Sequence, residues 1–341
     1  MAAHSPHERL PLSAEWLAHR YDPVGDAIHF VAADRDLRRS KPFLTDENLP
    51  GAAKPTVMNR EAALKAAPPP SQLHFIYHSA YCCSTLLANA LDVQGSASSL
   101  KEPTILNDLS GWVRRGGPPA RVAQAMDGAL NLLARPFGEG EAVVAKPSNV
   151  INSLAPLMLT MRPQACALLL FAPLKIYLGS IAAKGLWGRL WVRDLLVKQL
   201  KDGIVKLGFD KPEDHLLQTD LQVAAVGWLA QHQLFASLAR RFPDRVRTLD
   251  SETLLQRPED SLAALHRLFQ LRPGEPGTEN AGLEAFGRNA KTGESFGRGD
   301  RSAAQRSAAE VHNDELEKVF SWALAVAETA NVDLGLPSPL L

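Results

Sequence analysis

The segment His78-Ser79-Ala80-Tyr81-Cys82-Cys83-Ser84-Thr85 combines small, hydroxyl and thiol side chains. It lies between a β-favouring run, Leu73–His78 (LHFIYH), and a helical one, Thr85–Leu91 (TLLANAL). A loop passing from a strand into a helix offers backbone N–H groups and a positive helix end to an anion. The hydroxyls of Ser84 and Thr85 add donors, and both residues are also good N-caps. On the Mg-nucleotide pattern GxxxxGK[ST] only Thr85 fits: His78 and Cys83 stand at the glycines and Ser84 at the lysine. That lysine reaches the β/γ-phosphates and the Ser/Thr reaches magnesium. No acidic metal ligand is visible at a strand end either, so a nucleotide triphosphatase is disfavoured. Cys82 and Cys83 sit where a helix N-terminus lowers a thiol pKa, and small-residue packing is their plainer use.

The elements that must hold this loop are legible as short apolar runs. After Leu73–His78 come Ala142–Ala145 (AVVA), Cys166–Phe171 (CALLLF) and Arg245–Leu249 (RVRTL), separated by helical stretches such as Leu221–Arg241. Buried strands alternating with helices predict an α/β fold, a parallel sheet with helices on both faces. Before them, Asp26–Val31 (DAIHFV) predicts a strand, Glu61–Ala67 a short helix, and Pro68-Pro69-Pro70 a linker. The sequence thus divides into an N-terminal extension, residues 1–70, and an α/β unit, residues 71–341. Arg114–Ala120 and Arg272–Arg301 read as loops. The second carries seven glycines, and residues 286–306 hold Arg288, Lys291, Arg298, Arg301 and Arg306 against Glu294 and Asp300. A solvated connection and a mobile anion-binding flap both suit that composition.

Composition narrows the function classes. The 341 residues include 37 basic and 37 acidic side chains and are 45% hydrophobic. A net charge of zero argues against bulk binding to nucleic acid or an anionic membrane. Three cysteines, two of them adjacent, make neither a disulfide framework nor a zinc spacing. With no apolar leader and no run long enough to span a bilayer, the expectation is a cytoplasmic protein.

The loop Tyr81-Cys82-Cys83-Ser84-Thr85-Leu86-Leu87 resembles the R-S-G-T-T-L-L loop of sulfotransferases that use 3′-phosphoadenosine 5′-phosphosulfate (PAPS) without a metal. Further features follow in the family's order. Glu102-Pro103 stands after the second strand, and Lys146 ends the third in VVAKPSN. LLLFAPLKIYLGSIAAKG is similar to the 3′-phosphate motif R-D-P-R-x-x-x-x-S, with Ser180 at the serine and Lys175 within it. RVRTLDSETLLQRPEDSLAALHRLFQL is similar to the late strand–helix segment. The likeness covers residues 73–275. Two family arginines are replaced, by Tyr81 and Ala172; the loop glycine is Cys83 and the motif's aspartate is Pro173.

The resemblance implies a three-layer P-loop-type fold and sulfuryl transfer from PAPS to a hydroxyl or amine of a small-molecule acceptor. It assigns Tyr81, Cys82, Cys83, Ser84, Thr85, Lys175 and Ser180 to the cofactor. It makes Glu102 the general base and Lys146 the cation beside the bridging oxygen. Each has a plainer use: a solvated carboxylate before proline, a strand-end lysine, a helix with snorkelling lysines. Strand ends of open parallel sheets are where ligands bind, which favours a role for Lys146. His78 at a strand end reads as structural. Trp187 and Trp191, four residues apart, make one helix face that suits core packing or an acceptor pocket. Two alternatives stand beside this reading: a P-loop nucleotide or small-molecule kinase, and an inactive nucleotide-binding protein.

Overall fold

In a computed structural model, residues 12–209, 211–278, 280–287 and 298–341 are described, with side chains from 312 onward in the last stretch. The chain opens with an antiparallel sheet, β1 (Trp16–Asp22), β2 (Ala27–Ala32) and β3 (Thr56–Asn59), in that spatial order. Helix α1 (Arg35–Ser40) follows β2, and α2 (Arg60–Ala66) follows β3. The expected strand and short helix are β2 and α2. Their partners β1 and β3 carry charged and polar residues that hide the strand pattern.

The second sheet holds β4 (Leu73–His78), β5 (Ala97–Lys101), β6 (Ala142–Lys146), β7 (Ala167–Phe171) and β8 (Val246–Asp250). Its order is β5-β6-β4-β7-β8 and every neighbouring pair is parallel. The intervening helices are α3 (Ser84–Ala90), α4 (Thr104–Arg114), α5 (Pro119–Leu133), α6 (Ala155–Met161), α7 (Leu174–Ala183), α8 (Gly185–Lys201) and α9 (Asp220–Arg241). The chain closes with α10 (Ser251–Gln256), α11 (Pro258–Leu268), α12 (Ala281–Glu284) and α13 (Arg298–Thr329). This is the three-layer α/β arrangement of P-loop type that the sequence predicts.

Every residue of β4, β5 and β6 is buried, because helices cover both faces. Phe75 and Tyr77 face a core shared with α4, α5 and α6, whereas Ile76 faces α3, α7, α8 and α13. Leu17, Ile28 and Phe30 of the N-terminal sheet join the first of these cores, so the proline linker separates two sheets but not two cores.

Both expected loops are shorter than the sequence suggests. Helix α4 runs through Arg114 and Pro119 opens α5, leaving only residues 115–118 between them. Within Arg272–Arg301, α12 and a 3-10 turn at Ala285–Gly287 are present, and α13 begins at Arg298. The glycines there mask helix-forming stretches. Arg288 and Lys291, and the side chains of Arg298, Arg301 and Arg306, lie outside the described residues. Among those described, no helix is long and apolar enough to cross a membrane.

Candidate active site

The strand order creates a switch point. From β4 the chain goes by α3 to the sheet edge at β5, returns to β6 beside β4, and then crosses to β7 on the other side. Connections leaving β4 and β6 in opposite directions open a crevice at the carboxyl ends of the strands, where such sheets bind ligands. The loop after β4, Glu102 after β5, and Lys146 at the end of β6 meet there.

The loop is bent hard. Ala80 (φ 74°), Tyr81 (φ 53°) and Cys83 (φ 64°) are all left-handed, and so is Glu102 (φ 55°). Non-glycine residues rarely adopt this conformation, and such strain collects at functional sites. The Ser79 N–H donates to the Leu170 carbonyl at 3.1 Å, and its Oγ accepts the Ala172 N–H at 3.1 Å. The Ala80 N–H donates to His78 Nδ1 at 3.1 Å. Asn152 Nδ2 donates to the His78 carbonyl at 3.0 Å and to Gln231 Oε1 at 2.9 Å. His78 and Ser79 therefore pin the turn to β7 and the neighbouring 3-10 segment.

Lys146 is the centre of the crevice. It is 0% exposed, and its Nζ donates to Glu102 Oε1 at 2.5 Å and to Thr85 Oγ1 at 3.5 Å. The ring of Phe43 lies 5.1 Å from the same nitrogen. His78 Nε2 is 3.8 Å from Glu102 Oε1. A carboxylate, an ammonium and two hydroxyl residues, Ser84 and Thr85, thus converge on one end of the sheet, all buried or nearly so.

The other predicted positions fall around this centre. Tyr81 packs its ring edge-on against Tyr177 and Trp191, and burial pushes its phenol up to about 12. Cys82 is fully buried and burial raises its thiol pKa, so it is a packing residue rather than a thiolate. Cys83 is the N-cap of α3. Ser180, midway along α7, donates its hydroxyl to the Ile176 carbonyl at 2.8 Å. Lys175, in the first turn of α7, pairs with Glu317 of α13 at 2.8 Å and lies over the Phe320 ring. The structure therefore gathers Glu102, Lys146, Ser84 and Thr85, while the contacts of Lys175 and Ser180 lie within α7 and α13. Ala172 is 0% exposed, in the core rather than at a cationic site.

Two residues here escaped sequence reasoning. Lys101, the last residue of β5, is in register with Lys146 and is 1% exposed. Its Nζ donates to Asn89 Oδ1 at 2.8 Å and to the Arg39 carbonyl at 2.9 Å. Burial, reinforced by the Lys146 charge and opposed by Asp92, lowers it to about 8. The signal was a lysine ending a run of small residues, SASSLK. The other is Phe43, far away in the N-terminal segment, for which the sequence carries no signal.

No family model matches the chain, and no curated protein matches it. Among solved structures it is similar to a sulfotransferase domain from the curacin biosynthetic pathway, at 16% identity and a TM-score of 0.43. That match covers 78% of this chain and 99% of the other. It is similar also to a sulfotransferase domain from the Synechococcus PCC 7002 olefin synthase, at 15% identity and a TM-score of 0.42, covering 78% and 97%. At this level neither likeness bears weight on chemistry, and the functional reading stands on the crevice itself.

Proposed function

We propose that the protein is a PAPS-dependent sulfotransferase that sulfates a hydroxyl or amine of a small-molecule acceptor. The observation that carries the reading is the Lys146–Glu102–Thr85 cluster at the switch point, beside a strand-to-helix loop bent into the left-handed region. The loop lacks the lysine a triphosphate requires, and it supplies hydroxyls and backbone N–H groups suited to a 5′-phosphosulfate.

When bound, PAPS supplies an activated sulfuryl group whose departure leaves adenosine 3′,5′-bisphosphate. Ser84 and Thr85 hold the anionic end through hydroxyl and N–H donors. Glu102 takes the acceptor proton, a step worth ~10²–10⁴-fold for a well-placed base. Lys146, itself 0% exposed, offsets the negative charge that grows between sulfur and the leaving oxygen. Its salt link to Glu102 orients both side chains before any ligand arrives.

The test is calorimetry and thermal unfolding with adenosine 3′,5′-bisphosphate in the absence of divalent metal. Binding raises Tm by mass action. No shift at millimolar ligand, with a shift by Mg-ATP, replaces this reading with a kinase. Tight binding without turnover of any acceptor replaces it with an inactive nucleotide-binding protein.

A further inference from the structure

The N-terminal unit, which the family resemblance leaves unexplained, reaches into the crevice. Residues 41–48 run from α1 across the ends of β5 and β6. The Leu44 N–H donates to the Lys101 carbonyl at 2.7 Å, and Thr104 Oγ1 donates to the Leu44 carbonyl at 3.0 Å. Leu44 itself is 0% exposed. Asp46 is held by His19 at 2.5 Å and by Arg20 at 2.6 Å, and Arg20 in turn grips Asp108 of α4 at 2.8 Å. Lys101 closes the tie by donating to the Arg39 carbonyl. These contacts fix the neighbouring Phe43 with its ring over Lys146 Nζ.

The consequence is unusual for a strand-end lysine: at the very mouth of the sheet its side chain is 1% exposed. Glu102 covers the amine on one side, Thr85 approaches on another, and an aromatic ring closes a third. We propose that residues 41–48 form the acceptor-side wall of the site, and that Phe43 is the positioning residue that keeps water off the Lys146–Glu102 pair. The inference rests on the sulfuryl-transfer reading. Water is itself a competing acceptor there: its oxygen bonds to sulfur, the bond from sulfur to the phosphate oxygen breaks, and sulfate, adenosine 3′,5′-bisphosphate and a proton are released. A dry wall favours the intended acceptor over that reaction, and it strengthens the charges inside.

The experiment uses the full chain as wild type, Phe43→Ala and Phe43→Leu. Amines are labelled by brief reductive methylation, and Lys146 is compared with Lys175 in each protein by peptide mass spectrometry. Lys175 is half-exposed and serves as the internal reference. In wild type Lys146 is protected. Phe43→Ala opens the wall and raises its relative labelling about tenfold, as expected for taking a buried group into water, and Phe43→Leu, which refills the space with an apolar side chain, restores most of the protection. With PAPS and no acceptor, Phe43→Ala releases sulfate faster than wild type, and Phe43→Leu does not. Equal Lys146 labelling in all three proteins overturns the wall, and raised labelling with unchanged sulfate release in a PAPS-hydrolysing protein overturns its role in excluding water. Raised labelling in a protein that binds no adenosine 3′,5′-bisphosphate leaves the wall in place and removes the sulfuryl-transfer reading instead.

Discussion

Lys146 and Glu102 are joined twice. The Lys146 amine donates to the Glu102 carboxylate at 2.5 Å, and the Glu102 N–H donates to the Lys146 carbonyl at 2.7 Å. The second bond extends the β5–β6 ladder by one residue and holds Glu102 at φ 55°. The left-handed turn is thus what swings the carboxylate back over the strand end towards the lysine.

That pairing makes the two single mutants unequal. Lys146→Met leaves a largely buried carboxylate without its cation and lowers stability by about 3 kcal/mol, the lower end for breaking a buried pair. Glu102→Gln keeps a hydrogen-bond acceptor for the amine and loses less. The double mutant recovers part of the Lys146→Met loss, because no uncompensated charge remains. Urea unfolding of the three variants reads the coupling; strict additivity would show that the pair contributes nothing.

On the sulfuryl-transfer reading the two mutants also differ in kind. Glu102→Gln lowers kcat while leaving affinity for adenosine 3′,5′-bisphosphate nearly intact, since the acceptor proton takes no part in binding that ligand. Lys146→Met lowers kcat by roughly 10²–10³-fold, the scale for losing one stabilising donor, and weakens the bisphosphate modestly. Steady-state kinetics with calorimetry separates the two effects. Wild-type turnover in both variants would place the chemistry elsewhere.

Cys83 stands where the resembling loops carry glycine, and its φ of 64° is the conformation glycine adopts freely. Cys83→Gly should therefore be tolerated or should stabilise by a few tenths to ~1 kcal/mol, whereas the β-branched Cys83→Val should destabilise by about 1–2 kcal/mol. Thermal unfolding checks both. A loss on Cys83→Gly as large as that on Cys83→Val would mean that the thiol's contacts, not the backbone, hold the turn.

Ser180 gives its one hydrogen to the Ile176 carbonyl, so it donates to a phosphate oxygen only by rotating its hydroxyl away from its own helix. If it serves the 3′-phosphate, Ser180→Ala weakens adenosine 3′,5′-bisphosphate by ~1.5–3 kcal/mol and leaves adenosine 5′-phosphate almost unchanged. Calorimetry with both ligands reads the difference. Equal losses, or none, would confine the hydroxyl to capping its own helix.

The sequence made the sheet legible wherever strands are continuous apolar runs. LHFIYH is β4 residue for residue, and AVVA, CALLLF and RVRTL mark β6, β7 and β8 to within one position. β5 (ASSLK) escaped that reading because a buried edge strand can be built from small hydroxyl residues. The site was legible where it is local in sequence, as in the loop and at Glu102 and Lys146. It was not where tertiary contact assembles it. Phe43 approaches from more than a hundred residues away, and Lys101 becomes a perturbed amine only because α1 and α3 close over it. The pairing of Lys175 with Glu317 was equally invisible, since α13 follows a glycine-rich stretch that reads as loop.

Acid should destabilise the protein through its buried histidines. His74 is 2% exposed and stacks on Phe269 at 5.0 Å; its Nδ1 accepts the Cys166 N–H at 3.2 Å, and its Nε2 has no hydrogen-bond partner among the described residues. His232 is equally buried, stacked on Trp228 at 4.2 Å, with Nε2 3.0 Å from the Leu334 carbonyl. Burial lowers both from 6.5 to about 4. Between those values the unfolded chain binds more protons than the folded one, so stability rises with pH. It is complete above pH 6.5 and is lost progressively as pH falls towards 4, by ~2 kcal/mol per histidine at pH 5. Urea midpoints at pH 7.5 and pH 5 measure this for wild type and His74→Phe, which keeps the stacking on Phe269. The variant should lose ~2 kcal/mol less than wild type over that interval, whatever its stability at neutral pH. The same acid loss in both proteins would mean that His74 takes up its proton without unfolding the core around it.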